Sequence, residues 1–161
     1  MRSLKVALFP GSFDPFHNGH LEIVERASRL FDKIVVAAMR NPQKAGPLFS
    51  LEERQKLIEI SVAHIPNVEI VSLSTLVVTL ANELGASVII RGLRAVSDFE
   101  NELQMAQMNR ELSGIDTVFI PTSAEFSFLA SRLLREVAAY GGDVTSMVPG
   151  PIAVAFASKV G

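Results

Sequence analysis

The 161-residue sequence contains no cysteine, which excludes disulfide bonds and thiolate metal sites. No apolar run is long enough to span a bilayer, and the first residues lack the pattern of a secretory signal peptide. The net charge of −2 argues against broad electrostatic binding to nucleic acid or to a membrane surface. We therefore expect a cytoplasmic chain whose partners are small molecules, an anionic ligand included.

What the sequence does contain is typical of one folded α/β domain, which we expect to cover residues 1–161. The residues are 48% hydrophobic and 20% charged, as in ordinary globular proteins. Short apolar runs alternate with segments of helical periodicity. The runs predict strands at 4–9 (stopped by Pro10-Gly11), 33–39, 68–71, 87–90 and 117–121. The periodic segments predict helices at 19–31, 50–64, 76–84, 97–112, 126–140 and 152–160.

Strands separated by helices predict a parallel sheet, because each return to the sheet needs a crossover. We therefore expect a doubly wound, Rossmann-like, five-stranded parallel sheet with helices on both faces. Two S-x-x-E capping boxes, at Ser50 and at Ser97, support the helix starts. In such sheets ligands bind beyond the carboxyl ends of the strands, so the loops after the strands are the places to look for a site.

The loop after the first strand, residues 10–20, carries the pattern H-N-G-H at the start of a helix. A helix N-terminus offers unpaired N–H groups and a partial positive charge, which suit a phosphate. His20 adds a directed donor there, and Ser12 adds a hydroxyl and a backbone N–H. Asp14 precedes a proline, and we interpret it as a residue that organises the turn.

Two arginines, Arg91 and Arg94, flank Gly92 directly after the fourth strand. Arginine forms bidentate bonds to phosphate, so this pair can hold two anionic groups. The predicted helix from Phe126 places hydroxyl donors at a further N-terminus. Its periodicity places Leu129, Leu133 and Val137 in the core.

These segments resemble those of a known enzyme family. The first loop is similar to the H/T-x-G-H signature and G-S/T-F-D-P lead-in of the nucleotidyltransferase superfamily. Its first His, His17, is common to the nicotinate enzymes and leaves the acceptor open. The segment I-R-G-L-R-A-V-S-D-F-E, which begins at Ile90, resembles phosphopantetheine adenylyltransferases and favours that family. The resemblance extends over roughly residues 4–149.

The resemblance implies roles for individual residues. Catalysis would rest on His20, Lys44 and Arg94. The acceptor, 4′-phosphopantetheine, would be bound by Ser12, Lys44, Val77 and Arg91. ATP would be bound by Ser12, Phe13, His20, Gly92, Leu93, Arg94, Glu102, Phe126, Ser127, Phe128, Leu129, Ala130, Ser131 and Arg132. Ala130 departs from the family's usual serine, and the family also implies a homohexamer.

The implied reaction is a direct in-line attack of the acceptor phosphate on the α-phosphorus of ATP. No arrangement of Ser/His/Asp or Cys/His in the sequence indicates a covalent intermediate. Magnesium is expected to arrive with ATP, because the sequence shows no clustered carboxylates that would hold a metal unaided.

The alternatives are a nicotinate- or nicotinamide-mononucleotide adenylyltransferase and a nucleotide-binding module without turnover. A tRNA synthetase fragment is disfavoured, because no K-M-S-K-S-like loop is present.

Overall fold

A computed structural model describes residues 2–40 and 46–160. Five parallel strands form one sheet in the order β3-β2-β1-β4-β5, as the alternating pattern predicted. This is the expected Rossmann-like arrangement, in which the chain winds outward from β1 in both directions. The strands are β1 Val6–Gly11, β2 Lys33–Met39, β3 Val68–Leu73, β4 Val88–Leu93 and β5 Asp116–Pro121.

The six helices of the described residues, four between strands and two after β5, begin and end within three residues of the predicted bounds, apart from α5. They are α1 Asn18–Ser28, α2 Leu51–Ser61, α3 Val77–Glu83, α4 Val96–Ser113, α5 Ser131–Ala139 and α6 Gly150–Val160. A short 3-10 turn spans Thr145–Met147. In the described part of the chain, none of these helices has the length and hydropathy that crossing a bilayer requires.

The sheet is covered on both faces because successive side chains of a strand point to opposite sides. In β1, Ala7 and Phe9 belong to the larger core, with residues of α1, α5 and α6. Leu8 lies on the other face and packs in a smaller core with Val78 and Ala81 of α3. The near-continuous apolar runs of β1 and β2 are therefore explained by burial on both sides.

One of the two predicted capping boxes is confirmed. At the start of α2, the Ser50 hydroxyl accepts from the Glu53 N–H and the Glu53 carboxylate accepts from the Ser50 N–H. The box at Ser97 is wrong, because α4 begins at Val96 with Ala95 as its N-cap. An ion pair between Arg94 and Asp98 spans this start, and no described side chain caps it.

The first and fourth strands run further than predicted. Proline was expected to stop β1, but the strand continues through Pro10 and Gly11, which pair with Ala37 and Ala38 of β2. On the other side, the β1–β4 pairing covers only Ala7 with Val88 and Leu8 with Ile89. Because that pairing has ended before Pro10, the missing N–H of the proline interrupts no bond to β4. The two central strands therefore separate at their carboxyl ends.

The prediction of a helix from Phe126 is wrong, since α5 begins five residues later, at Ser131. Residues 124–128 form a turn, closed by bonds from Phe126 N to the Ser123 carbonyl and from Leu129 N to the Phe126 carbonyl. The apolar stripe shifts accordingly: Leu134 and Ala138 are the buried residues of α5. Leu129 is buried as predicted, but Leu133 and Val137 are largely exposed.

Candidate active site

A cleft of about 450 Å³ opens where β1 and β4 separate. This is the point at which the strand order reverses, where open α/β sheets bind ligands. Most of the residues singled out from the sequence meet in this cleft. Its lining consists of Phe9, Pro10, Gly11, Ser12, Phe13, His17, Gly19, His20, Ile23, Arg91, Gly92, Arg94, Asp98, Glu102, Thr122, Phe126, Ala130, Ser131, Arg132 and Arg135.

Arg91 lies in β4, and its side chain crosses the gap between β1 and β4. Its Nη1 donates to the Pro10 carbonyl across the gap, at 2.7 Å. Its Nε and Nη2 donate to the two carboxylate oxygens of Glu102 at 2.8 and 2.7 Å, a bidentate ion pair. The two residues assigned separately to acceptor and nucleotide therefore contact each other in this structure.

Arg94, three residues further along the chain, is held in the same manner. Its Nε and Nη2 donate to the Asp98 carboxylate at 3.0 and 3.2 Å, and its Nη1 donates to the Leu129 carbonyl at 2.6 Å. A guanidinium has five N–H donors. Within the described residues, Arg91 and Arg94 each use three of these donors. Two N–H donors are therefore left on each of these two arginines to bind an anion.

His17 and His20 are oriented by the first turn of α1. The His17 Nδ1 accepts from the Gly19 N–H and the His20 Nδ1 accepts from the His17 N–H, both at 3.1 Å. These bonds form a capping box, so they occupy part of the helix N-terminus that the sequence suggested for a phosphate. Because both Nδ1 atoms accept, each neutral ring carries its proton on Nε2. The His20 side chain is therefore a neutral donor beside the cleft arginines.

The surroundings keep both imidazoles neutral. Burial, reinforced by the charge of Arg94, lowers the pKa of His17 to about 3. The pKa of His20 lies well below its usual value because of burial first, and then because of His17, Arg91 and Arg94. Desolvation and neighbouring cations both disfavour a charged imidazole. An anionic ligand would oppose the second of these effects.

The rings of Phe13 and Phe16 pack against the His20 ring. The Phe13 ring meets it edge-on at 4.9 Å between centroids, and the Phe16 ring stacks on it at 5.4 Å. Phe13 has a φ of 51°, in the left-handed region that non-glycine residues rarely occupy. Its ring folds back over Gly11, where a Cβ would lie 2.7 Å from the ring. Such a backbone costs about 1–3 kcal/mol and persists only where the surroundings fix it.

Asp14 organises the loop, as interpreted from the sequence. Its carboxylate accepts from the backbone N–H groups of Leu48 and Phe49 at 2.8 and 2.9 Å. Its carbonyl accepts from Nη1 of Arg135, which lines the cleft. Asp14 itself is buried and does not line the cleft in the described part of the chain.

The N-terminus of α5 forms the opposite rim. Ala130 is its N-cap and supplies no side-chain bond, so the first N–H groups of α5 lack the side-chain cap that α1 has. The Ser131 hydroxyl donates to the Pro15 carbonyl at 2.8 Å and ties this helix to the first loop. Phe126, Ala130, Ser131 and Arg132 line the cleft.

Several predicted site residues lie elsewhere. Ser127 and Leu129 do not line the cleft, and the Phe128 side chain is 60% exposed outside it. Leu93 ends β4 without lining the cleft, and Val77 begins α3 against the smaller core. Lys44 lies outside the described residues, so its predicted role stays a prediction.

A magnesium site made by the protein alone does not fit the described residues. They contain no group of three or more His, Cys, Asp or Glu side chains that could hold a metal. The two carboxylates of the cleft, Asp98 and Glu102, are both paired with arginines. A divalent ion would therefore have to bring its oxygen ligands with the nucleotide.

Some residues of the cleft were missed from the sequence, and for most of them a signal existed. Thr122 follows β5 directly, where the carboxyl-end rule applies. Arg135 lies one turn beyond Ser131, and Ile23 lies one turn beyond His20. Asp98 had a signal too, because it lies four residues after Arg94 within the segment quoted above, a spacing that favours an ion pair.

The arrangement suits the binding of two anionic groups side by side. Four arginines, a neutral imidazole donor and a helix N-terminus line one space; the arginines are Arg91, Arg94, Arg132 and Arg135. No described group in it is arranged as a nucleophile with a base, so the chemistry it favours is charge stabilisation and alignment.

Comparison with known proteins shows which family the chain resembles. Residues 8–137 match the family model described as cytidylyltransferase-like. A phosphopantetheine adenylyltransferase of Gloeobacter violaceus is 57% identical over 145 residues, covering 89% of each chain. One of Alkaliphilus metalliredigens is 48% identical over 157 residues, covering 97% of this chain and 99% of the relative.

Two solved structures share the fold at low sequence identity. A putative nicotinate-nucleotide adenylyltransferase of Vibrio parahaemolyticus superposes with a TM-score of 0.70 at 17% identity, covering 96% of this chain and 91% of the other. A bifunctional NMN adenylyltransferase/ADP ribose pyrophosphatase of Francisella tularensis gives 0.68 at 15% identity, covering 97% of this chain and 50% of the other. At these identities the likeness establishes the fold alone.

Proposed function

The chain belongs to the phosphopantetheine adenylyltransferases of the cytidylyltransferase-like family, and we propose that it transfers the adenylyl group of ATP to 4′-phosphopantetheine. The products are dephospho-coenzyme A and pyrophosphate, which makes this a step of coenzyme A synthesis. The observation that carries the proposal is the convergence of His20, Arg91 and Arg94 on one cleft at the fork between β1 and β4.

The reaction is a single in-line displacement. An oxygen of the acceptor phosphate attacks the α-phosphorus of ATP, and the bond from that phosphorus to the bridging oxygen breaks. The electron pair of that bond leaves with pyrophosphate. A phosphate anion is already a nucleophile, so the protein has to bring two anions together and hold them in line. Positioning of this kind contributes up to about 7–11 kcal/mol.

Charge stabilisation falls to the cations and donors of the cleft. The Nε2–H of His20 donates to a phosphate oxygen of ATP, and its Nδ1 bond to the His17 N–H fixes the direction of that donor. Arg94 neutralises the nucleotide phosphates together with the N-terminus of α5, and Lys44 assists from the acceptor side. A single well-placed donor to developing charge is worth about 3–4 kcal/mol.

The two substrates take different sides of the cleft. Ser12 and Arg91 bind the acceptor, together with Lys44. Gly92, Arg94 and Glu102 bind ATP from the β4–α4 side, and Phe126, Ala130, Ser131 and Arg132 bind it from the α5 side. Arg91 keeps its ion pair with Glu102 and binds the acceptor through the two N–H donors that this pair and the Pro10 carbonyl leave over.

A nicotinate- or nicotinamide-mononucleotide acceptor is not favoured. The relatives that carry that name share only 15–17% identity, whereas the phosphopantetheine enzymes share 48–57%. His17 was the feature that favoured nicotinate. In this structure it caps α1 and supports His20, a role that does not depend on the acceptor.

Magnesium would arrive with ATP and would supply positive charge to its phosphates, since the described residues offer no group of side chains to hold it alone. The arginine pairing of Asp98 and Glu102 supports this route over a resident protein site. We also place the enzyme in the cytoplasm, in keeping with a chain free of cysteine.

We propose a homohexamer, for which the surface of α4 is the support from the structure. This helix has one buried residue, Asn109, among those described. Its exposed apolar side chains form a surface of the kind that marks protein contacts. They are Val96, Phe99, Leu103, Met105, Met108 and Leu112.

The test is pyrophosphate release with ATP and each acceptor in turn. We expect turnover with 4′-phosphopantetheine and, in matched reactions, background release with nicotinate mononucleotide and with nicotinamide mononucleotide. ATP binding without pyrophosphate release for any acceptor would identify a binding module and refute the enzyme. Faster release with a mononucleotide would reassign the acceptor.

A further inference from the structure

A buried arginine, Arg54 of α2, lies outside the cleft and is not used by the reaction described above. Its side chain is 4% exposed, and it is not among the residues that line the cleft. A buried guanidinium has to find partners for its donors, because the desolvation of an unpaired charge is costly. Its partners therefore indicate what it does.

The partners of Arg54 are three backbone carbonyls from separate segments. Its Nη1 donates to the Ser12 carbonyl at 2.6 Å and to the Met39 carbonyl at 2.8 Å. Its Nε donates to the Phe49 carbonyl at 3.2 Å. One guanidinium thus joins the loop after β1, the end of β2 and the start of α2.

The first of these contacts adjoins the strained residue of the site. Phe13, at φ 51°, follows Ser12, whose carbonyl Arg54 holds. On its other side lies Asp14, whose carboxylate is held by the N–H groups of Leu48 and Phe49. Phe49 is therefore tied to both flanks of Phe13, through its N–H to Asp14 and through its carbonyl to Arg54.

Strained backbone persists only where neighbouring contacts fix it. The turn at Phe13 places Ser12 in the lining of the cleft and the Phe13 ring against His20. Burial lowers the pKa of Arg54, and the Asp14 carboxylate opposes that effect.

We propose that Arg54 is a positioning residue for adenylyl transfer, which holds the strained Ser12–Phe13 turn and thereby places Ser12 against the acceptor phosphate. The inference rests on the proposed function, since it assigns an effect on the two substrates of that reaction. Arg54 acts through Ser12 and Phe13 and touches neither reactant.

The placement of its contacts predicts which substrate is affected. All three carbonyls belong to the β1, β2 and α2 side of the cleft. Among the groups proposed to hold ATP phosphates, Arg94 is fixed by Asp98 and Leu129 on the other side, and the His20 ring is directed by the His17 N–H. Loss of Arg54 should therefore impair acceptor binding and turnover more than ATP binding.

The experiment compares Arg54→Lys and Arg54→Met with Ile58→Val and Lys56→Ala, four substitutions on the same helix. Lysine keeps the charge but lacks the planar fork that reaches three carbonyls. Ile58→Val loosens the buried face of α2 without touching Ser12, and Lys56→Ala removes an exposed charge. Each variant is assayed for unfolding midpoint, kcat and the KM of both substrates.

We expect Arg54→Lys to lower kcat/KM for phosphopantetheine by about 10- to 100-fold, since a misplacement on the order of 1 Å can cost that much. Its KM for ATP should change by no more than about twofold, because uniform binding of ATP is retained. Both control variants should keep the wild-type ratio of the two KM values. Arg54→Met should show the same split more strongly in any fraction that folds.

Equal losses for both substrates in Arg54→Lys, or the same split in Ile58→Val at matched stability, would overturn the positioning role. So would wild-type kinetics in Arg54→Lys. A wild-type chain without turnover would instead refute the proposed function and this inference together, so the two failures are distinguishable.

Discussion

The imidazole rings of His17 and His20 stack on each other, with their centroids 3.6 Å apart and their planes inclined by 21°. Each ring accepts a backbone N–H of the same helical turn through Nδ1. These bonds, and not the stack, fix the tautomer and leave the proton of each ring on Nε2. A ring of the helix cap, that of His20, is thereby the directed donor that we propose for a phosphate.

Replacing His20 tests that donor directly. His20→Ala should lower turnover by about 10²- to 10³-fold, the usual cost of one donor to developing charge. The same change removes one bond of the α1 capping box, which should cost about 0.5–2 kcal/mol of stability. Steady-state kinetics and urea unfolding measure the two effects separately.

His64→Ala is the matched control, because His64 lies outside the cleft and pairs with Glu25 on the surface. It should retain wild-type turnover. Near-wild-type turnover in a folded His20→Ala variant would remove His20 from the mechanism.

The neutral state of His17 predicts how stability depends on pH. Its pKa is about 3 in the folded protein against 6.5 in an unfolded chain. Between these values the unfolded chain binds more protons, so the free energy of unfolding rises with pH. The contribution of neutral His17 is complete above pH 6.5 and is lost progressively as pH falls toward 3.

His17→Thr isolates this effect, since threonine also caps helices but does not titrate. Urea unfolding of both proteins at several pH values from 7 to 4 should show a shallower decline in the variant. Parallel curves for the two proteins would show that His17 is not kept neutral by the fold.

Arg91 and Arg94 should differ in which substrate they hold. Arg91→Ala should raise the KM for phosphopantetheine by about 10- to 100-fold, the range expected for a hydrogen bond to a charged group. Arg94→Ala should affect ATP more and should also lower kcat. Initial-rate measurements with each substrate varied in turn separate the two patterns.

Arg110→Ala controls for the loss of a positive charge, because this arginine of α4 is exposed and its ion pair with Asp116 among the described residues is long, at 3.6 Å. It should leave both KM values unchanged. Equal effects of Arg91→Ala on the two substrates would contradict the division of the cleft proposed here.

The exposed surface of α4 predicts how the oligomer can be broken. The side chains of Met105 and Met108 are 59% and 57% exposed in the single chain. Replacing both by glutamate should convert the proposed hexamer to smaller species, because burying two carboxylates in an apolar contact is unfavourable. Sedimentation velocity measures the change, and circular dichroism checks that the chain stays folded.

Val154→Glu is the comparison, since Val154 is 75% exposed on α6. It should leave the assembly intact. A wild-type protein that sediments as a monomer, or a double variant that remains hexameric, would rule out α4 as the contact.

Much of the fold followed from the sequence because periodicity reports burial directly. The apolar run of β2 was predicted with its observed bounds, since a strand buried on both faces leaves an uninterrupted pattern. The capping box at Ser50 was predicted for an equally local reason. Where tertiary contacts override local preference, prediction failed: Pro10 lies inside β1, and α5 begins at Ser131 rather than Phe126.

By itself, the sequence determined the order of strands and helices, the family and the residue types of the site. These properties depend on spacing along the chain. Only the tertiary structure decided that Arg91 pairs with Glu102, that Arg94 donates to the Leu129 carbonyl and that Arg54 holds Ser12. Such contacts join segments whose approach depends on where β1 and β4 separate and where the helices begin, which no local pattern records.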